Sequence, residues 1–338
     1  MRKNSPIFSH QRENVAELSR YFQEVIVLTG QPGETLSHGN ISIRSYNWKP
    51  GHKIKSVSRF IWIYWKTIVE FRPNVIFSHM TEVQSALVAP MTKLFKIHHY
   101  LWYAHAHNSI YLRWCHIWCD GIITSTKNSC PIVSEKVHYV GQSIDLTKFK
   151  RRVLNYSSSQ NFVHVGRLDI SKNIEMIVES FLTSTKDTSS SLTFIGESTT
   201  KLDEEYSLAL KQKYLQEFAK RDVVFFGPIS RDLLPDKLAE FDCFIHAFKG
   251  SLDKSVLEAT SVGLPVITIN SGFIQEFSAW GKSTQNPILI EEISAYISAS
   301  PDTRAKLMNK RIERVKSHHS ITTWGAQVSR VLLRHTLI

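Results

Sequence analysis

The chain has 338 residues, more than one ordinary hydrophobic core accommodates and enough for two. Hydrophobic residues make up 42% and charged residues 21%, a balance that excludes an intrinsically disordered chain. The formal net charge of +11 points to an anionic partner or substrate, and it is unevenly spread: residues 1–150 carry 18 Lys and Arg against 9 Asp and Glu, the remainder 23 against 21.

The chain opens "MRKNSPIFSHQRENVAELSRYF", in which Arg12 to Phe22 have the pattern of a helix. A parallel α/β domain should open with a strand, so the first strand, which would lie in the middle of the sheet, is expected to be missing unless "PIFS" supplies a short one. Strand-like runs follow at Val25–Thr29, Val75–Phe77, Tyr100–Trp102, Gly121–Thr124 and Val137–Val140, with helices expected at about 55–70, 81–95 and 108–119. The apolar helix "FIWIYWKTIVEF" (60–71) is too short to span a bilayer and contains Lys66. Cys115 and Cys119 in "WCHIWCD", with Cys130 and Cys243, lack paired metal-binding spacings. They read as buried, reduced thiols of a cytoplasmic protein, and no secretory signal is visible. The polar, Ser-rich stretch "KFKRRVLNYSSSQN" (148–161) reads as an interdomain linker. Beyond it, "FVHV", "LTFI", "VVFF", "CFIH" and "PVITI" are strands, separated by helices at about 173–184, 202–220, 230–240 and 254–262. The sequence thus predicts an α/β protein with a domain at 1–150, a second at 151–320, and a C-terminal helix in 321–338 that can cross back to the first.

The usual nucleotide signatures are absent. There is no Gly-x-Gly-x-x-Gly, no Gly-x-x-x-x-Gly-Lys-Ser/Thr and no Asp-x-Asp. Any diphosphate bound here must therefore be neutralised by protein cations and helix ends, with no metal and no cofactor expected. One stretch fits that demand. In "HAFKGSLDKSVLEATSVGLPVITIN" (246–270) a strand runs into a glycine-containing loop and then a helix that ends at Gly263. A loop after a strand's C-terminal end, feeding a helix N-terminus, is where open α/β sheets bind phosphates. Gly250 lets the backbone come close to a ligand. The amides of Ser251, Leu252, Lys254 and Ser255 can donate to diphosphate oxygens, although Asp253 at the cap competes with an anion there. Glu258, one turn further in, can accept hydrogen bonds from a ribose diol or be an ordinary solvated helix acid. Upstream, "FVHVGRLDISKNIEMIVESF" places Gly166, Arg167 and Lys172 on a strand-to-helix loop. The two cations either aim at one phosphate site or form surface pairs, Arg167 with Asp169 and Lys172 with Glu175.

Together "VGRLDISKN", "IGES" (195–198), "VVFFGPISRDLLPDKLAEFDCFIHA" and "LEATSVGLPVI" occur in the order found in the glycosyltransferase group 1 family, and the chain resembles that family over about residues 160–275. "LWYAHAHNS", "ITSTKNS" and "VGQSIDLTKF" are similar to segments of its polysaccharide-building members. The resemblance implies a GT-B fold, two Rossmann-like parallel-sheet domains facing across a cleft, and a retaining transferase that moves a sugar from a nucleotide-diphosphate donor to a glycan or polyprenyl-linked acceptor. It implies that Arg167 and Lys172 bind the donor diphosphate, that Glu258 binds the ribose, and that His105 lines the sugar and acceptor side; His107 reads as an ordinary structural histidine. The chain departs from the family pattern at Gly250, where a second glutamate is common, and at Asn173, which replaces a glycine. A glycine-rich loop is also expected after the first strand, and polar residues Arg2 to Pro6 stand in its place. These departures keep a second reading open, a catalytically inactive relative that binds a partner; a third is a sugar-nucleotide epimerase of the same fold. The basic, aromatic stretch Arg44–Arg72 suits an anionic membrane surface, while an apolar helix packed inside the domain explains Phe60–Phe71 equally well. No nucleic-acid module is recognised.

Overall fold

The computed structural model describes residues 9–31, 39–49, 51–152, 156, 160–186, 189–220, 222–281 and 287–334. The "PIFS" run, apart from Ser9, and the segment Arg2–Pro6 lie outside these residues. The chain divides into two compact units, Met1–Ser143 with Ile321–Ile338, and Ile144–Ser320. The division falls ahead of the stretch 148–161 read as a linker. Ile144 and Phe149 are fully buried in the second unit's core, and the Ile144 amide donates to the His319 carbonyl (2.8 Å), so the segment at 144–149 is packed rather than free.

In the first unit, α1 (Ser9–Leu18) precedes β1 (Val25–Thr29), and β1 pairs in parallel with β2 (Ile41–Ser45), from Val25 opposite Ile41 to Thr29 opposite Ser45. β2 has only five residues, "ISIRS", and its alternation is too short to stand out from the flanking loops. Then come α2 (Lys53–Phe71), β3 (Val75–His79), α3 (Glu82–Leu94), β4 (His98–Trp102), α4 (Ile110–Trp118), β5 (Gly121–Thr124) and β6 (Val137–Tyr139). Strands β3 to β6 form a second parallel sheet in sequential order, separate among the described residues from the β1–β2 pair. All four cysteines of the chain are buried and unoxidised; Cys115 and Cys119 pack with Leu101, Leu112 and Ile122.

The second unit holds β7 (Asn161–Val165), α5 (Ile174–Ser184), β8 (Ser191–Ile195), α6 (Lys201–Lys213), α7 (Leu215–Ala219), β9 (Val223–Gly227), α8 (Leu234–Leu238), β10 (Cys243–His246), α9 (Lys254–Val262), β11 (Val266–Thr268), α10 (Ser271–Phe277), α11 (Leu289–Ser298) and α12 (Pro301–His318). The helix expected over 202–220 is therefore two, broken at Tyr214, and the one expected over 230–240 is a single five-residue turn. The last helix, α13 (Ile321–Leu332), belongs to the first unit. There Trp324 is fully buried, edge-on to Trp102 (5.9 Å between centroids). Gly325 lets α13 approach α1 closely, since a Cβ at this position would lie 2.6 Å from Cγ of Glu17.

Among the described residues the second unit has five strands, all parallel, in the order β11-β10-β7-β8-β9. Alternate residues feed two cores, Phe162 and Ile245 on one face, Val163 and Phe244 on the other, as expected of a parallel sheet covered on both sides. The order has one consequence for function. From β7 the chain steps outward to β8 and β9, then returns to the other side of β7 for β10 and β11. The connections therefore diverge between β7 and β10, and the C-terminal ends of these two strands flank the crevice where open sheets of this type bind ligands.

Candidate active site

The loop after β7 and the loop after β10 meet at this switch point, and each glycine-rich turn has a local cause. Gly166 follows β7, and its amide donates to the Ile195 carbonyl (3.1 Å). Gly196, in "IGES", has φ +149°, and a Cβ on it would lie 2.9 Å from the Gly166 carbonyl carbon and closer still to its oxygen, so only glycine fits. Asp169 then caps a short 3₁₀ turn over 170–172, its carboxylate accepting from the Lys172 amide (3.2 Å). Asn173 takes up the left-handed conformation (φ +52°, ψ +46°) that explains the family's usual glycine. Asparagine is among the few residues that adopt it at low cost, and here its side-chain amide also donates to the Ala247 carbonyl (2.8 Å), tying the two loops together.

The loop after β10 is held from beneath. Asn270, fully buried, donates to the carbonyls of Phe248 and Gly250 (3.0 Å each) and accepts from the Phe273 amide (2.9 Å). Nothing in its spacing marked Asn270 as part of the site, because its role depends on a contact twenty residues away. Asp253 occupies the N-cap position of α9 but its side chain makes no cap hydrogen bond. Its carboxylate turns instead to the Lys172 ammonium and to His246 Nε2, 3.5 Å away. The Asp253 carboxylate is therefore turned toward Lys172 rather than capping the first turn of α9. In the first turn of α9 the Ser255 hydroxyl is buried with no hydrogen-bond partner among the described residues.

Lys172 is buried between Asp253 and the ring of Phe248, whose centroid is 4.2 Å from Nζ. It does not pair with Glu175, which goes to Lys213. Burial alone would raise the Asp253 carboxyl, but the lysine charge and the His246 contact outweigh it and hold the group well below the usual carboxylate range. Below this cluster the rings of His164 and His246 stack with centroids 6.2 Å apart. Both are fully buried; burial, then the charge of His246, pushes His164 down to about 3, so it stays neutral.

The remaining predicted residues separate. Arg167 is half-exposed and sits 3.3 Å from Asp169, which is the surface pairing. Glu258 is not a solvated acid: it is buried and ion-paired with Arg231, whose guanidinium lies 5.1 Å from the ring centroid of Phe149. Arg231 was not singled out in the sequence, since a lone arginine in "GPISRD" carries no spacing signal. Leu252 offers a ligand only its backbone, because its side chain is packed in the core with Val256 and Phe273. Gly250 has a steric constraint of its own, set by Phe248. It does not have positive φ, and a Cβ there would come within 2.8 Å of Cε1 and Cε2 of Phe248. His105 belongs to the first unit, exposed on the loop after β4 and edge-on to Tyr103 (5.6 Å).

The architecture matches solved glycosyltransferases across nearly the whole chain. HepE from Anabaena in complex with UDP aligns with a TM-score of 0.74 at 13% identity, covering 98% of each chain. Sucrose-phosphate synthase from Thermosynechococcus elongatus aligns at 0.76 with 15% identity, over 97% of this chain and 92% of that one. A trehalose-6-phosphate synthase studied for glycosyl transfer with retention aligns at 0.72 with 11% identity, over 97% of both chains. The fold is therefore GT-B, with two Rossmann-like parallel-sheet domains. No curated protein matches the sequence. Residues 146–316 match the family of glycosyl transferases group 1, and the chain belongs to it.

Proposed function

We propose that the protein is a retaining, metal-independent glycosyltransferase of hexosyltransferase type. It would take a sugar from a nucleotide-diphosphate donor and place it on a glycan or polyprenyl-linked acceptor in cell-surface polysaccharide or lipopolysaccharide synthesis, working on the cytoplasmic side. The observation that carries the donor assignment is the convergence of Lys172 and the start of α9 at the switch point between β7 and β10. The UDP complexes of HepE and the retention studied in trehalose-6-phosphate synthase, both on this fold, support the reading.

In this reading the diphosphate sits over the amides of residues 251–255, with Gly166 giving its backbone room and Lys172 as the principal cation. Asp253 holds the ammonium by an ion pair until the donor shares it. Arg167, on its exposed arm, leaves Asp169 to reach the outer phosphate. Glu258, oriented by Arg231, accepts from the ribose hydroxyls. As the bond between the anomeric carbon and the phosphate oxygen breaks, the sugar becomes oxocarbenium-like and negative charge gathers on the leaving diphosphate, where Lys172, Arg167 and the helix start stabilise it. Losing one such preorganised donor costs on the order of 10²-fold in rate. The acceptor oxygen attacks from the same face and its proton passes to the leaving phosphate, so no carboxylate nucleophile is required. His105 is assigned to the sugar and acceptor side.

A second reading, a binding subunit without turnover, draws on Gly250 and on Phe248 beside Lys172, which together leave no carboxylate where family members commonly have one. Calorimetric titration with UDP and GDP, followed by donor hydrolysis with UDP-sugars, separates the two. Binding with slow hydrolysis supports the enzyme, and binding with no turnover of any donor-acceptor pair supports the subunit. Absence of binding at millimolar nucleotide removes the enzyme reading and leaves the binding subunit.

A further inference from the structure

No helix among the described residues is long and apolar enough to cross a membrane, yet the first unit presents an outer face that ordinary solvation does not explain. On α2, Trp62 is 59% exposed and Trp65 43%; Leu94 at the end of α3 is 77% exposed, and Ile117 on α4 65%. These are not scattered. Trp65 packs edge-on to Phe95 (centroids 5.2 Å apart), joining α2 to the end of α3, and α3 packs along α4. Residues of the same three helices also line a groove of about 590 Å³ whose walls include Trp48, Phe60, Leu87, Tyr111 and Trp114, with no charged residue among the described residues that line it. That volume is in the range of small-molecule sites.

Around this apolar surface the charge is one-sided. Residues 53–118 contain eight Lys and Arg against two acids. Of the two, Glu70 is paired with Arg44 (2.8 Å) and Lys66 (3.6 Å), and Glu82 is half-buried and accepts from Ser109 (3.1 Å). Lys53, Lys55, Arg59, Lys66, Lys93 and Lys96 are all exposed on or beside the same helices, and Lys66 lies over the Trp62 ring (5.4 Å). Exposed indoles interleaved with lysines combine insertion among acyl chains with contact to phosphates. A second copy of this chain is a poor occupant, since two such faces would set cation against cation.

We propose that α2, α3 and α4 form a docking surface for an anionic lipid bilayer, with Trp62, Trp65 and Leu94 inserted at the headgroup boundary and the groove accepting one acyl or prenyl chain. The surface lies wholly in the first unit and does not depend on the donor site, so nucleotide binding serves as an independent check of folding.

The test is co-sedimentation of the full chain with phosphatidylcholine vesicles, with and without phosphatidylglycerol, at low and high salt. Binding should require phosphatidylglycerol and weaken with salt. Lys53→Glu/Lys55→Glu should reduce it by roughly fivefold or more per lysine, and Trp62→Ser/Trp65→Ser should abolish it, while both variants retain UDP affinity. Tryptophan emission should shift to the blue on adding anionic vesicles in the parent and not in the tryptophan variant. Equal binding to neutral vesicles, or unchanged binding by both variants, would overturn the proposal. So would a concentration-dependent dimer abolished by Trp62→Ser/Trp65→Ser, or saturable binding of an acidic amphipathic peptide without vesicle binding.

Discussion

Gly250 offers a sharp test of how the loop after β10 is built. Its backbone does not demand glycine, because φ is not positive. The constraint is the Phe248 ring, three carbons of which lie under 3.0 Å from where a Cβ would stand, against the 3.4–4 Å of ordinary contact. Phe248 cannot retreat without cost: its carbonyl is held by Asn270 and its face covers the Lys172 ammonium. Gly250→Ala should therefore destabilise the second unit by about 1–3 kcal/mol, the usual cost of overpacking. At about 2–4 °C per kcal/mol for a domain of this size, that is a measurable fall in its thermal transition. Phe248→Ala removes the obstacle at the expense of a cation–π contact of about 0.5–2 kcal/mol. In the double variant the glycine substitution should cost almost nothing, leaving a coupling of about 1–3 kcal/mol in the cycle. Chemical denaturation of the four proteins measures it. Additive effects, with Gly250→Ala as costly without Phe248 as with it, would refute the steric account. Gly250→Glu should be rescued by Phe248→Ala in the same way.

Two other consequences concern the buried charges. Glu258→Ala leaves the largely buried Arg231 without its carboxylate, so stability should fall by up to about 3–5 kcal/mol, with loss of UDP binding and a milder effect from Glu258→Gln; a change within the surface range of about 0.5 kcal/mol would mean the pair is solvated. The pH dependence of unfolding should show two overlapping windows. The unfolded imidazole of His164 protonates near 6.5 and the folded one only near 3, so protonation favours the unfolded chain and stability falls as pH drops between about 6.5 and 3. Asp253, depressed in the folded state, contributes stability that is fully present above about pH 4 and is lost as pH falls through its lower folded value. Asp253→Asn should therefore lower stability at neutral pH and flatten the acid limb below pH 4, while a fall between about pH 6.5 and 4 remains. A parallel offset at all pH values would contradict the assignment.

Much of the second unit was legible because its strands are short apolar runs and its turns carry glycines for identifiable reasons. The order of "VGRLDISKN", "IGES" and "LEATSVGLPVI" placed the two loops on strand ends, and the switch point then followed from the sheet order. What sequence could not supply were contacts made across the sheet. Lys172 and Asp253 are 81 residues apart, so nothing local indicated that the cap carboxylate faces the lysine rather than the helix. The same holds for Arg231 on Glu258 and for Asn270 beneath the loop. In the first unit β2 is hard to read from the sequence because its five residues give too little alternation. The pattern of α12 is hard to read because it is the most polar of the long helices.

The central claim is that protein cations and helix amides at the end of β7 and the start of α9 hold a diphosphate. Calorimetric titration of UDP into the parent protein and into Lys172→Ala, with Lys172→Arg alongside, addresses it directly. The account predicts saturable binding by the parent, a loss of tenfold or more for Lys172→Ala, and partial retention by Lys172→Arg. Parent-like affinity in Lys172→Ala would contradict it, because the nucleotide would then be held elsewhere.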